Sequence, residues 1–202
     1  MTEHAVLLSA HYFPCIEWFR SYLLHREVYI EQHEFFLKQT FRNRTIILSA
    51  NGPLALTVPV SKLQTKTAVK DMRIDYTDKW PHRHMEALRA AYNSSPYFMY
   101  YAHYFEAFYK HSYGNLLELN LASVSLMLKL MKQQHGFQLT ENYVKLPHLE
   151  DMRDRIHPKK PSQAQFREYL QVFASKYPFV PNMSVLDVFF NCGPDTFQYI
   201  CS

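Results

Sequence analysis

"LLSAHYFPCIEWFRSYL", Leu7 to Leu23, decides the fold. The short apolar run Val6-Leu7-Leu8 reads as a buried strand that ends before His11. Pro14 follows, and from there Ile16, Phe19, Tyr22 and Leu23 fall at helical spacing. Proline fits a first helical turn, where its missing N–H has no intrahelical partner to lose. Val28 to Ile30 reads as a second strand. Strand, helix and strand in so short a span predict a right-handed crossover and a parallel pair. The loop around His11 then sits at a strand C-terminus and a helix N-terminus, a usual ligand position in α/β folds.

Downstream, "RTIILSANGPLALTVPV" places Asn51-Gly52 between two apolar alternating runs, a strong hairpin signal. Leu54, Leu56, Val58 and Val60 alternate onto one face of the returning strand, and Pro59 places it at an edge. Met72 to Tyr76 reads as a further strand. The remainder reads as helices. Trp80 to Tyr92 opens with Asp78 as N-cap and Pro81 in the first turn. After Pro96, aromatics recur at Tyr97, Tyr101, Tyr104, Phe105 and Phe108, a core stripe. Leu117, Leu121, Val124, Leu128 and Met131 form another, with Asn115 as cap and Gly136 as stop. "HPKKPSQ" from His157 is a loop, followed by a helix around Phe166 to Ser175. A last helix starts with Ser184 and Asp187 spaced as a capping box and stops at Gly193. The expected fold is α/β. A small mixed sheet comes from the first half, as strand-helix-strand plus the Asn-Gly hairpin, and the second half is mainly helical. No repeat or low-complexity segment divides 1–202, so one domain is expected.

Bulk numbers narrow the function classes. The 202 residues are 48% hydrophobic and 16% aromatic, enough for a packed core. With only 4 glycines, a Gly-rich phosphate loop is excluded. The net charge of +4 suits a small anionic ligand, such as a phosphate or nucleotide, better than nucleic acid. The aromatics lie on helical stripes and not on an RNA-binding sheet. Neither a signal peptide nor a membrane span is read. The 3 cysteines, without CxxC spacing, read as free thiols in a cytoplasmic protein.

Several residues could carry chemistry. His82 and His84 invite a metal pair, but positions two apart on a helix are turned by about 200° and cannot chelate together. One of them facing an anion near a helix N-terminus fits better. "FFLKQTFRNR" sets Lys38, Arg42 and Arg44 beside Gln39 and Asn43, a set suited to gripping phosphate or carboxylate, or else a solvated basic loop. Lys62, Lys66, Lys70 and Arg73 read as an exposed basic face. Cys15 at a helix start is either activated by the dipole or buried and structural. Asp187 reads as a helix cap. No nucleophile motif is present, and the residues leave the cofactor unknown.

"YFP" at Tyr12 to Pro14, "KQTFRNR" at Lys38 to Arg44, "NGPLALTVPV" at Asn51 to Val60 and "WPHRHMEAL" at Trp80 to Leu88 resemble, in order, motifs of the WbqC-like proteins. The ending "FVPNMSVLDVFFNCGPDTFQYI" is the most specific piece, and the likeness runs from Val6 to Ile200. The resemblance implies a place in surface polysaccharide synthesis, such as that of O-antigen. It also implies transfer of a glycyl or related acyl group to an amino sugar nucleotide. Many members carry Gln-Pro before "xYFP", where this chain has Ser9-Ala10. Carried over residue by residue, the motifs offer Tyr12, Lys38, Asn43, Arg44, His157 and Asn191 for ligand binding. His82 and His84 join His11 as catalytic candidates, since imidazole suits removal of a proton from an attacking amine near neutral pH. This reading expects a pocket uniting His11, Arg44 and one of His82 or His84. The alternative is a non-catalytic binding or assembly protein, with its histidines satisfied by backbone groups.

Overall fold

The computed structural model describes residues 5–61, 66–143, 149–162 and 164–202. Lys62 of the basic cluster and Gln163 of the "HPKKPSQ" loop lie outside them. Strand β1 (Val6–Ser9), helix α1 (Ile16–Leu24) and strand β2 (Val28–Glu31) form in the expected order. The strands pair in parallel, Val6 opposite Val28 and Ser9 opposite Glu31. Ile16, Trp18, Phe19, Tyr22 and Leu23 bury the inner face of α1.

β3 (Arg44–Ser49) and β4 (Gly52–Thr57) form the antiparallel hairpin as a two-stranded sheet of its own. Ser49 pairs with Gly52, so the turn residues are Ala50 and Asn51, one position earlier than the motif suggests. Gly52 opens β4 at a φ of 92°, which only glycine adopts freely. Leu56 and Val58 are buried, whereas Leu54 is exposed. Met72 to Tyr76 is not a strand: it makes isolated bridges, Ile74 to Val60 and Arg73 to Asn115.

The helices are α2 (Trp80–Tyr92), α3 (Phe98–Lys110) and α4 (Leu116–Leu130). Asp78 does not cap α2. Its carboxylate instead accepts from both terminal nitrogens of Arg83, at 2.5 and 2.6 Å. Asn115 does cap α4, its side chain accepting from the Glu118 N–H at 2.9 Å. The helix ends well before Gly136, where Lys132 turns the chain at a φ of 55°.

Two short strands then complete the parallel sheet. β5 (Gln138–Leu139) pairs with β2, and β6 (Glu150–Asp151) pairs with β1, giving the order β5-β2-β1-β6. No helix forms around Phe166 to Ser175. Gln171 prevents it by bonding across its own loop, accepting from Val180 N–H at 2.9 Å and donating to its carbonyl at 3.0 Å. The chain then forms α5 (Val185–Cys192), a short 3-10 turn and α6 (Thr196–Cys201). Ser184 caps α5 and Gly193 stops it. Asp187 does not complete a capping box. It is buried and accepts from Tyr92, Tyr169 and Gln171 at 2.8, 2.5 and 2.9 Å.

One hydrophobic cluster joins these elements, from Val6 on β1 to Ile200 on α6. Among the described residues no helix is long and apolar enough to cross a membrane.

Candidate functional site

The loop after β1 is pinned from every side. Asn120 on α4 donates to the carbonyls of Ala10 and Arg42 at 3.0 and 2.8 Å. Tyr12 N–H donates to Phe41 carbonyl at 3.0 Å, and Phe13 N–H to Ser123 Oγ at 3.1 Å. The Phe13 carbonyl accepts from Thr45 and Ser184 hydroxyls at 2.7 and 2.9 Å. Such anchoring holds Phe13 at a φ of 37°, a left-handed conformation costly for a side chain of that size. The N-terminus of α1 is also occupied by protein. Ile16 N–H bonds to Met183 carbonyl at 3.0 Å and Glu17 N–H to Asn182 Oδ1 at 2.9 Å. It does not lie open to an anion, as the strand-helix junction suggests from sequence.

Open parallel sheets bind ligands where neighbouring strands send their chains in opposite directions. Here that point lies between β1 and β6. The connection from β1 runs to β2 on one side, and β6 returns on the other. His11 follows β1, and His157 lies in the loop after β6.

Behind this edge sit two buried ion pairs. Arg42 donates to Glu34 through Nε at 2.8 Å and also through its terminal nitrogen, which reaches Ser9 Oγ at 3.0 Å. Ser9 in turn donates to Glu34 at 3.1 Å and so joins this network. Burial raises the Glu34 carboxyl above its ordinary range, while Arg42 and Ser9 pull it back. Glu31, fully buried, accepts from Arg153 at 3.0 Å and from Thr140 at 2.8 Å. Neither glutamate stands out in sequence. Their position, Glu31 as the last residue of β2 and Glu34 three residues beyond, is the one available signal.

His11 is 1% exposed, its ring centroid 5.5 Å from that of Phe41 and 6.3 Å from that of Trp18. Among the described residues neither ring nitrogen has a hydrogen-bond partner. Burial, followed by the nearby charges of Arg42 and His157, pushes its basicity well below the ordinary value, so the ring is neutral. Phe41, packed against it, also lines a cavity of about 690 Å3 together with His157, Lys160, Phe166, Phe179 and Asn182. His157 Nδ1 accepts from the Lys159 N–H at 3.1 Å. The neutral ring therefore carries its proton on Nε2 and offers a donor. Burial, then Lys160, lowers its basicity.

The other candidates fall elsewhere. His84 is buried, its Nε2 3.2 Å from the Thr57 carbonyl and its Nδ1 3.1 Å from the Tyr12 hydroxyl. A carbonyl only accepts, so Nε2 carries the proton. Tyr12 then donates to Nδ1, and Tyr109, 2.8 Å away, donates to Tyr12. Burial depresses His84 to about 4, consistent with this neutral tautomer. His82 is exposed on the opposite side of α2, as helical rotation requires, and lines a different cavity. Lys38 is exposed, and Asn43 is buried, donating to Val58 carbonyl at 2.9 Å. Arg44 is half-buried, and among the described residues neither its Nε nor Asn43 Oδ1 has a partner. Asn191 donates to the Asp187 carbonyl at 2.7 Å and lines a third cavity. Burial pushes the Cys15 thiol up to about 12, so it is not activated by α1. No described cavity unites His11, Arg44 and either His82 or His84. Among the described residues no group of three or more His, Cys, Asp or Glu is placed to hold a metal ion.

No curated protein and no solved structure matches the chain. A model of the WbqC-like protein family matches residues 10–158. That span begins one residue before His11 and ends one after His157, taking in both loops that flank the switch between β1 and β6. The chain belongs to the WbqC-like protein family.

Proposed function

We propose that the chain is a biosynthetic enzyme of surface polysaccharide that transfers an acyl or aminoacyl (glycyl) group to an amino sugar nucleotide. Its ligand site is the cavity beside His157. The observation that carries this reading is His11, a buried neutral imidazole with neither nitrogen committed among the described residues, packed on Phe41, which lines that cavity. Family membership supports the pathway, and the lining supports the ligand. Phe166 and Phe179 offer faces for a base, while Lys160 and the His157 Nε2–H offer charge and a donor for phosphate oxygens.

In this reading Phe41 moves aside and His11 accepts the proton of the attacking amine. The amine nitrogen bonds to the carbonyl carbon of an activated acyl donor, and the bond to the donor's leaving group breaks with its electron pair. A donor hydrogen bond from His157 stabilises the oxyanion formed between these events.

Thermal shift with UDP, UDP-amino sugars and acyl thioesters tests the site. A ligand at about a hundred times its dissociation constant stabilises the native state by about 2.7 kcal/mol. A UDP-amino sugar is expected to raise the melting temperature of the wild type, and of His157→Ala much less. No response to any nucleotide or sugar nucleotide sinks this reading. The second reading, a non-catalytic binding or assembly protein, draws on His84, whose ring is wholly committed to Tyr12 and backbone. Binding without turnover, unchanged in His11→Ala, would favour it.

A further inference from the structure

The start of α2 and the end of α3 enclose a second cavity, of about 550 Å3, that shares no lining residue with the one beside His157. Its walls are apolar where Tyr76, Met85 and Tyr109 face it. Its charged groups divide into two classes. Both carboxylates are already paired: Asp78 accepts two bonds from Arg83, and Glu106 accepts from Arg89 at 2.5 Å, a cation it shares with Glu86. Lys79, His82 and Lys110 make no side-chain hydrogen bond or ion pair among the described residues. Two of the three uncommitted polar groups are thus cations, beside flat apolar walls.

The back wall is rigid. Tyr109 is fixed through its hydroxyl to Tyr12 and thence to His84. Trp80 packs against Tyr76, ring centroids 5.7 Å apart, and is itself 1% exposed, its indole N–H without a partner among the described residues. A volume of this size holds a small molecule. An apolar wall with unpaired, exposed cations at the rim selects its character, since their positive potential attracts an anionic head while the wall takes an apolar body.

We propose that this cavity is a second small-molecule site, for an organic anion that joins a phosphate or carboxylate to a flat apolar body. The head meets Lys79 and Lys110, and the body lies against Tyr76 and Met85. This site is independent of the acyl-transfer reading, because its residues are not those of the crevice.

The chain's 2 tryptophans separate the two sites. Trp80 stands behind this cavity, whereas Trp18 packs against His11. Indole N–H resonances of the 15N-labelled protein are followed during titration with uridine monophosphate, benzoate and inorganic phosphate, each to about 10 mM. The Trp80 resonance is expected to move saturably with uridine monophosphate or benzoate, and the tighter of the two identifies the head group. The exposed pair Lys79→Glu/Lys110→Glu is expected to weaken binding about tenfold or more. The proposal is overturned if neither organic probe moves Trp80 saturably, if the charge-reversed protein binds as well, or if inorganic phosphate alone binds equally. Movement of Trp18 alone speaks for the crevice and against this cavity.

Discussion

Tyr12 and His84 show what burial does to a titrating pair. The imidazole accepts from one phenol and donates to one carbonyl, leaving no nitrogen for a proton from solution. Unfolded histidine titrates near 6.5, whereas folded His84 lies at about 4. Between these values the unfolded chain binds a proton that the folded chain does not. The stabilisation is therefore full above the upper value and lost as pH falls. The loss from this ring reaches about 3 kcal/mol at the acid end. His11, lowered by burial first and then by Arg42, acts in the same direction. Urea midpoints should fall steadily from about pH 7 to about pH 4, and His84→Gln, which keeps a donor and an acceptor, should flatten the slope. Tyr12→Phe deprives Nδ1 of its donor and should cost about 1–3 kcal/mol in the same assay. As separate candidates Tyr12 and His84 were legible in the sequence. Their pairing was not, because nothing local joins residues so far apart in the chain, and partnership through a packed core leaves no spacing to read.

At the scale of elements, features held by neighbours in sequence were readable and features held by distant partners were not. The Asn115 cap needs only Glu118, three residues on, and forms as expected. Asn115→Ala should destabilise the chain by about 1 kcal/mol in denaturant unfolding. Gly193 likewise ends α5, and a Cβ there would lie 2.5 Å from the Tyr97 ring at a φ of 57°. Gly193→Ala combines strain with a clash and should cost at least about 2 kcal/mol, read as a lowered melting temperature. By contrast β5 and β6 have two residues each, too few for any alternation to be seen, and exist because β2 and β1 offer them an edge. The expected helix at Phe166 to Ser175 fails for a related reason. Its periodicity is real, but Gln171 finds better partners across its loop at Val180 and in Asp187.

For the whole molecule, we propose that the 202 residues fold as one unit, although the family match covers only 10–158. The residues beyond the match supply Phe189 and Phe190, both fully buried, and the groups that satisfy the start of α1. A chain ended at Pro161 should therefore show no cooperative thermal transition by calorimetry. An ordinary sharp transition would show that the matched segment is self-sufficient. The α/β architecture was legible because strand, helix and strand are adjacent in sequence. The His11–Phe41 arrangement was hidden, since it depends on α4 reaching back with Asn120.

The bonds from Ile16 to Met183 and from Glu17 to Asn182 carry one more consequence. During synthesis the first helix leaves the ribosome long before the residues that cap it exist. Until they emerge, its opening turn is held by water alone, and β1 still lacks β6 along one side. The nascent chain must keep this strand and helix provisional until the residues around Met183 are made, so a segment translated well before them is locked only after them.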